Sequence, residues 1–252
     1  MTRAALGSRA VQAAFVLALL AAWYYATDVA GISVVFVPRM AAVWHELAKI
    51  VSSGAILGPL GVTLSSVGIA YAIAAATGIL AGYLVSRSSY LTRLLEPLIA
   101  GMFAVPITLF FPLFVLYFGI GVQSKIAYGA TYAFFPIALN TVAGFTGVDR
   151  KLIDAARSMG ADRFEVFRHV LYPAAFPVVL TGLRIGFFIC FASVLGGETI
   201  TSEKGLGKQI AHSAELMESA RMFAWIVLVV TISMTLNLLV SRIERARQEA
   251  GR

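Results

Sequence analysis

The sequence predicts an all-α protein in which several helices cross a membrane. Of the 252 residues, 59% are hydrophobic and only 13% are charged, and the mean hydropathy is +0.84. A water-soluble domain is apolar over only about half of its residues. Apolar runs long enough to span a bilayer recur along the chain, and basic residues gather at their ends. Composition, run length and charge placement together indicate a polytopic membrane helical bundle.

Six apolar runs are candidates for membrane spans, since a helix needs about 20 residues to cross the hydrocarbon. The first run has an alternative interpretation as a signal peptide, but it exceeds the usual apolar length of about 7 to 15 residues, so we expect a retained span. The second starts at an interfacial turn near Gly54 to Pro59. Only GIGVQSK separates the third run from the fourth, which predicts a helical hairpin. The six runs cover about residues 11–30, 60–86, 94–119, 124–145, 173–196 and 222–241.

The distribution of lysine and arginine predicts the orientation of the chain. With six spans, and with Arg184 set aside inside the fifth, thirteen basic residues lie on the side of the termini and six on the other side. Basic residues accumulate on the cytoplasmic side of membrane proteins, so we expect both termini in the cytoplasm. The net charge of +7 does not indicate a nucleic-acid partner, because no basic patch is interleaved with aromatic residues.

Two polar segments are expected on the outer side of the membrane. Residues 38–53 contain MAAVWHELAKIV, with apolar residues at helical spacing and polar residues between them. This pattern predicts an amphipathic helix at the membrane surface. Residues 197–221 carry Glu198 and several other charged residues, and are predicted to form a polar loop. A docking surface and a solvated connector are both compatible with these two segments.

A polar stretch at residues 149–173, DRKLIDAARSMGADRFEVFRHVLYP, interrupts the apolar pattern. We predict a short helix that ends at Gly160, because glycine commonly terminates helices in a left-handed conformation. Asp162 followed by Glu165 is typical of a capping box that begins a second helix. The stretch is therefore predicted to be a structured hairpin that ends where the fifth span begins, at Pro173. The apolar stripe of its second helix would be Phe164, Phe167 and Leu171.

The hairpin resembles the cytoplasmic signature of the transmembrane permease subunits of bacterial ATP-binding cassette importers: EAA, three residues, G, nine residues, I, one residue, LP. The matching residues are Asp154-Ala155-Ala156, Gly160, Val170 and Tyr172-Pro173, at that spacing. The likeness extends over about residues 58–241. The subgroup that imports aliphatic sulfonates, taurine, nitrate or thiamine-precursor pyrimidines is the most similar, through FPLFVLYFGIGVQSK, FPIALNTVAGFTGVD and GGETITSEKGLG. The chain departs from it at Ser66, where an arginine is expected.

This resemblance implies an importer permease that is not an enzyme and binds no cofactor itself. A separate ATP-binding subunit, in two copies on the cytoplasmic side, would hydrolyse the ATP, and a soluble solute-binding protein would deliver the cargo outside. The chain would form a homodimer in the bacterial inner membrane, or a heterodimer with a paralogue. The contact core of the helix that couples it to the ATP-binding subunit would be Asp154, Ala155, Ala156 and Gly160.

Other classes of protein find less support. The nearest approach to a phosphate-binding loop, GLGKQ, fails because Ser202 and Gln209 replace the first glycine and the final hydroxyl residue. The three histidines lie in different loops, and no hydrolase motif occurs. The main alternative is a secondary transporter or channel without an ATPase partner, in which prolines at 97, 106 and 112 break spans around a path.

Arg184 is the candidate translocation residue. It lies eleven residues beyond Pro173, or about 16 Å along a helix, where a charge is costly unless it faces protein or water. We interpret it as attracting an anionic solute, with pairing to a carbonyl or to Glu198 as the alternative. Glu198 and Asn140 are further pathway candidates, although interhelical hydrogen bonds are an alternative role for Asn140 and Asn237. Close helix packing is expected at Gly78, Gly82, Gly182 and Gly186.

The sequence divides into three predicted regions. Residues 1–57 would hold the first span and the amphipathic helix. Residues 58–241 would form the permease core, with the hairpin at 149–173. Residues 242–252 would form a basic cytoplasmic tail.

Overall fold

The protein is helical throughout the part that the structure, a computed structural model, describes. Residues 3–250 are described, with side chains excluded at 3–10, 12, 13, 16, 240 and 243–250. No strand occurs within residues 3–250, which agrees with the predicted all-α class. The helices are α1 (Arg3–Tyr24), α2 (Met40–Ser52), α3 (Leu57–Ser86), α4 (Ser89–Ala104), α5 (Phe111–Phe118), α6 (Val122–Thr146), α7 (Arg150–Ser158), α8 (Arg163–Val166), α9 (Tyr172–Ile200), α10 (Leu206–Glu215) and α11 (Ser219–Ala250).

Four of these helical segments are long and apolar enough to cross a membrane. They are α3, α6, the continuous 38-residue helix Arg163–Ile200, and the Ser219–Leu239 part of α11. A fifth span results if α4 and the bent segment after it are taken together. These five correspond to the second to sixth predicted spans. The first predicted span, at about residues 11–30, coincides with α1 and a π-helical turn at Tyr25–Val29. Many side chains of α1 lie outside the described ones, so this span stays a prediction.

The third predicted span, at 94–119, is not one straight helix. Its two parts, Ser89–Ala104 and Ile107–Phe118, are bent by 77° relative to each other. The break lies at Val105, which is extended with ψ of 129°. Proline disfavours a helical conformation in the residue before it, and Pro106 follows here. Hydropathy carries no information on direction, so it does not reveal this bend; the two parts together can still form the predicted third span.

α6 occupies the centre of the bundle, between α3 and α9, and glycines allow the close approach. Ile137 of α6 is fully buried. A Cβ atom at Gly78 of α3 would lie 2.9 Å from its side chain, and a Cβ atom at Gly186 of α9 would lie 2.5 Å from it. Gly82 and Gly182 are equally crowded, against Thr141 and Asn140. The glycine positions predicted from the sequence therefore do mark the helix contacts.

The ends of the helices opposite the hairpin carry a second layer made by α2, α10 and the start of α11. Val43 and Ile50 of α2 pack with Leu206 of α10 and Trp225 of α11, which agrees with the predicted amphipathic helix, although Trp44 is exposed. The polar loop predicted at 197–221 was wrong. α9 continues to Ile200, and α10 occupies much of the remainder. The glutamates that made this segment look like a loop instead cap α10 or lie on the surface.

The predicted boundaries of the three regions fall inside helices. Residue 58 belongs to the first turn of α3, and residue 242 lies within α11. The backbone of α11 is helical through the start of the predicted tail, to Ala250. The division into regions therefore stays a prediction.

Candidate functional site

The first helix of the hairpin, α7, is capped at both ends by its own residues. The Asp149 carboxylate accepts a hydrogen bond of 2.9 Å from the Lys151 amide. At the other end the Ala161 amide donates to the Ala156 carbonyl and the Gly160 amide to the Arg157 carbonyl. This pair of bonds requires a left-handed residue, and Gly160 has φ of +90°. The predicted end of the helix at Gly160 is confirmed.

The second helix of the hairpin is continuous with the fifth span. The Asp162 amide donates to Glu165 Oε2 over 2.8 Å, and the Glu165 amide donates to Asp162 Oδ1 over 2.7 Å. This reciprocal pair is the predicted capping box. A π-helical turn at Phe167–Leu171 then joins α8 to α9 without interruption. Pro173 lies in the first turn of α9, directly after this π-helical turn, and the entry into the membrane at Pro173 stays a prediction.

Aromatic contacts hold this helix against the bundle. The Phe167 ring lies 5.6 Å from that of Tyr83 in α3 and 6.3 Å from that of Phe145 in α6. Leu171 packs in the adjoining core cluster. Phe164, predicted to share their stripe, is instead 66% exposed. The hairpin is thus fixed to two neighbouring spans through Phe167 and is continuous with a third.

The predicted coupling residues divide between two faces of α7. Asp154 and Ala155 are exposed, as is Gly160 beyond the end of the helix. Ala156 is only 7% exposed and faces its own chain. The surface open to another protein is therefore a ridge that presents Asp154, Ala155 and the exposed Met159.

Arg184 is half-buried in α9 and contacts α11. Its Nη2 donates a hydrogen bond of 3.0 Å to Asn237 Oδ1. The interhelical role predicted for Asn237 is therefore seen. Asn140 instead donates to the Pro136 carbonyl of its own helix, over 2.8 Å, and no interhelical bond of Asn140 is seen among the described side chains. The structure does not bring Asn140, Arg184 and Glu198 together through any of these bonds.

Glu198, at the far end of α9, joins three helices. It is only 2% exposed. Thr63 Oγ1 of α3 donates to its carboxylate, with 2.9 Å to each oxygen, and the Gly207 amide donates to Oε2 over 2.9 Å. Thr63 Oγ1 also accepts from the Leu206 amide. Because a helix leaves its first amides unpaired, Glu198 and Thr63 together cap α10.

The sequence GLG, which failed as a phosphate loop, closes this cap. Gly205 has φ of +111°, a conformation that L side chains rarely adopt. A Cβ atom at Gly205 would collide with the Glu198 carboxylate. The glycine is therefore required by the backbone turn and by the carboxylate beside it.

Comparison with known proteins identifies the family. Residues 74–249 match the family described as the inner membrane component of binding-protein-dependent transport systems. The chain belongs to this family. Its recognition as an importer permease is therefore confirmed, and so is the expectation of a transport protein rather than an enzyme.

Relatives and a solved structure support the same assignment. The permease is 30% identical over 232 residues to the taurine transport system permease protein TauC of Escherichia coli (strain K12), covering 90% of this chain and 84% of that protein. It is 27% identical over 227 residues to the putative aliphatic sulfonates transport permease protein SsuC of Bacillus subtilis (strain 168), covering 90% and 82%. The inward-facing methionine transporter MetNI matches with a TM-score of 0.61 and 22% identity, over 76% of this chain and 95% of that chain. The relatives agree with the predicted subgroup, and the solved structure shows the fold.

One residue of the permease was missed by sequence reasoning. Lys125 was counted as a loop residue, but it lies in α6 and is 1% exposed. Its Nζ donates to the carbonyls of Ile120 and Gly121, which precede the helix. A lysine four residues after GIG gives no signal that its side chain folds back onto that turn.

Proposed function

We propose that this permease moves a small anionic solute and that α7 receives force from a separate ATP-binding subunit. The observation that carries the proposal is the rigid connection between α7 and the membrane helices. The Gly160 turn fixes α7 to α8, and one continuous helix runs from Arg163 to Ile200. A movement imposed on α7 would therefore displace the whole of α9.

The displacement of α9 would spread to the rest of the bundle. α9 contacts α6 through Gly182 and Gly186, and α6 contacts α3 through Gly78. Packed interiors respond to such displacement by moving as units rather than by deforming. The coupling core thus consists of Asp154 and Ala155 on the exposed ridge, with Ala156 and Gly160 fixing its shape.

We propose that two copies of the chain work with two ATP-binding subunits, because each chain supplies one α7. The excess of basic residues on the hairpin side supports a cytoplasmic location for α7 and both termini. A solute-binding protein would then dock on the opposite side, where α2 and α10 lie. ATP would be bound and hydrolysed by the partner subunits.

The substitution Ala155→Arg tests the coupling role. Ala155 is exposed, so an arginine is accommodated by the chain itself but obstructs a close-fitting partner. We expect the ATP-binding subunit to be lost when the variant is purified by affinity chromatography. The control is Ala41→Arg, the same change on the exposed face of α2 at the opposite side, which should keep the ATP-binding subunit on purification. Retention of the subunit and of transport by Ala155→Arg would contradict the proposal.

The proposed anionic cargo rests on Arg184. It is the charged residue deep within α9, and a cation at such a depth is costly unless it serves a path or a partner. The names of the two relatives refer to taurine and to aliphatic sulfonates, which carry a sulfonate. Glu198 and Asn140 form hydrogen bonds within the chain. A pathway role for these two residues stays a prediction.

Uptake into proteoliposomes that contain the whole complex tests Arg184. We expect Arg184→Gln to reduce the uptake of labelled taurine or nitrate by about tenfold or more, as for the loss of a charge pair. Arg184→Lys should restore part of it, because the charge is kept. Asn237→Ala is the control for assembly, since it removes only the partner amide. If Asn237→Ala and Arg184→Gln were equally impaired and Arg184→Lys did not recover, Arg184 would be structural.

A further inference from the structure

A strongly cationic cavity opens beside the hairpin. Its volume is about 710 Å³, within the usual range for ligand pockets of about 300 to 1,000 Å³. It lies where α3 ends, α4 begins and α6 ends, with α7 and the start of α8 on the other side. Among the described side chains, no acidic residue lines it. Five arginines do: Arg87, Arg93, Arg150, Arg157 and Arg163.

These arginines are not paired with carboxylates inside the cavity. Across the described part of the chain, none of the five forms an ion pair or a side-chain hydrogen bond. Three of the four hairpin carboxylates, those of Asp149, Asp162 and Glu165, are hydrogen-bonded to backbone amides. The fourth, that of Asp154, is exposed and does not line the cavity. Five guanidinium groups around one cavity repel one another, and an anion between them would remove that repulsion.

The cavity opens at the ends of two apolar helices, where lipid headgroups are expected. The last residue of α3 and the first of α4, Ser86 and Ser89, both line it. Three exposed apolar side chains are adjacent in sequence to residues that line the cavity: Tyr90, Leu94 and Phe164. A ring of cations with an apolar rim at the end of membrane spans matches a molecule with an anionic head and acyl chains.

We propose that this cavity binds the phosphate-bearing headgroup of an anionic phospholipid from the surrounding bilayer. Basic pockets between membrane helices commonly bind such headgroups, and guanidinium groups form paired hydrogen bonds with phosphate oxygens. The proposal rests on the membrane location alone, not on coupling to an ATPase.

A lipid fits the cavity better than a carboxylate-bearing protein partner does. Arg150, Ile153 and Arg157 of α7 line the cavity, whereas Asp154 and Ala155 of the exposed ridge do not. The cavity is therefore a recess behind the ridge that a soluble subunit would grip. A headgroup bound there would bridge the α3–α4 connection and α7.

Native mass spectrometry of the purified permease tests the proposal, with phosphatidylglycerol and phosphatidylcholine supplied in equal amounts. We expect wild-type protein to retain phosphatidylglycerol preferentially. Each arginine near a membrane surface contributes about fivefold in affinity, so Arg87→Gln with Arg93→Gln should reduce the preference by about 25-fold. Arg87→Lys with Arg93→Lys keeps the charge but not the paired hydrogen bonds, so it should keep more of the preference than the glutamine variant does. The matched control is Arg168→Gln, because Arg168 is exposed on the same hairpin but does not line the cavity.

Three results would overturn the proposal. The first is retention of the preference by the double glutamine variant. The second is displacement of the lipid by inorganic phosphate, which would make a free anion the ligand. The third is loss of the ATP-binding subunit by the variant in phosphatidylcholine nanodiscs, which would make the cavity a protein docking surface. Size-exclusion profiles verify the fold of each variant. Arg157→Gln, on a different element, provides a second measurement with an expected fivefold loss.

Discussion

At the residue scale, the absence of a side chain at a few positions decides how closely the central helices approach. A Cβ atom at Gly82 would lie 2.6 Å from both the Ala138 carbonyl oxygen and Thr141 Cβ. Neither atom can withdraw, since one belongs to the backbone of α6 and the other to a buried threonine. Adding one methyl group there must therefore separate α3 from α6.

We expect Gly82→Ala to lower the Tm of the purified permease, with a loss of about 1–3 kcal/mol as is typical of overpacking. Gly68→Ala is the matched control, because it is in the same helix and no atom lies within 4 Å of the added Cβ. Helix propensity favours both changes by about 1 kcal/mol, so Gly68→Ala should leave Tm unchanged or raise it. Equal Tm values for the two variants would show that the contact is not tight.

Residues were predictable from the sequence where their partners are close in the chain. Gly160, Asp162 and Glu165 act within one turn of each other, so their types and spacing reveal their roles. Glu198 was misplaced in a loop because its partner Thr63 lies 135 residues away. No local pattern distinguishes a glutamate that meets such a partner from one that meets water.

At the element scale, hydropathy located the membrane helices but not their directions or their continuity. The bend at Val105 and the unbroken helix across Pro173 both depend on how backbone groups are satisfied after packing. Pro106 follows the bend at Val105, whereas Pro173 lies in the first turn of α9 without interrupting the helix.

We expect Phe167→Ala to loosen the hairpin from the bundle. The substitution removes the ring contacts to Tyr83 and Phe145, each worth about 0.5–1.5 kcal/mol beyond area burial. Hydrogen–deuterium exchange of the backbone amides in α7 and α8 should become faster. Phe164→Ala is the control, since it makes the same change in the same helix at an exposed position. Equal exchange in Phe167→Ala and wild type would contradict this anchoring.

At the scale of the whole molecule, the orientation in the membrane is the property that sequence predicts and packing does not address. Because the chain has one cysteine, cysteine labelling can measure this orientation. Cys190 is 0% exposed and is the single cysteine of the chain. An introduced surface cysteine would therefore be the reactive thiol.

Ser158→Cys on α7 and Lys204→Cys between α9 and α10 report the two sides. If basic residues mark the cytoplasm, an impermeant maleimide should label Lys204→Cys in intact cells, and Ser158→Cys only after permeabilisation. The unsubstituted permease measures the background from Cys190. The reverse labelling pattern would place the hairpin outside and refute the predicted orientation.

The cap of α10 has a consequence for the order in which the permease is made. The Leu206 and Gly207 amides find their acceptors on Thr63 and Glu198, in two other helices. During synthesis Thr63 enters the membrane long before Glu198 exists. α10 can therefore become stable only after α3 and α9 have come together, so this short helix would be among the last parts of the nascent chain to settle.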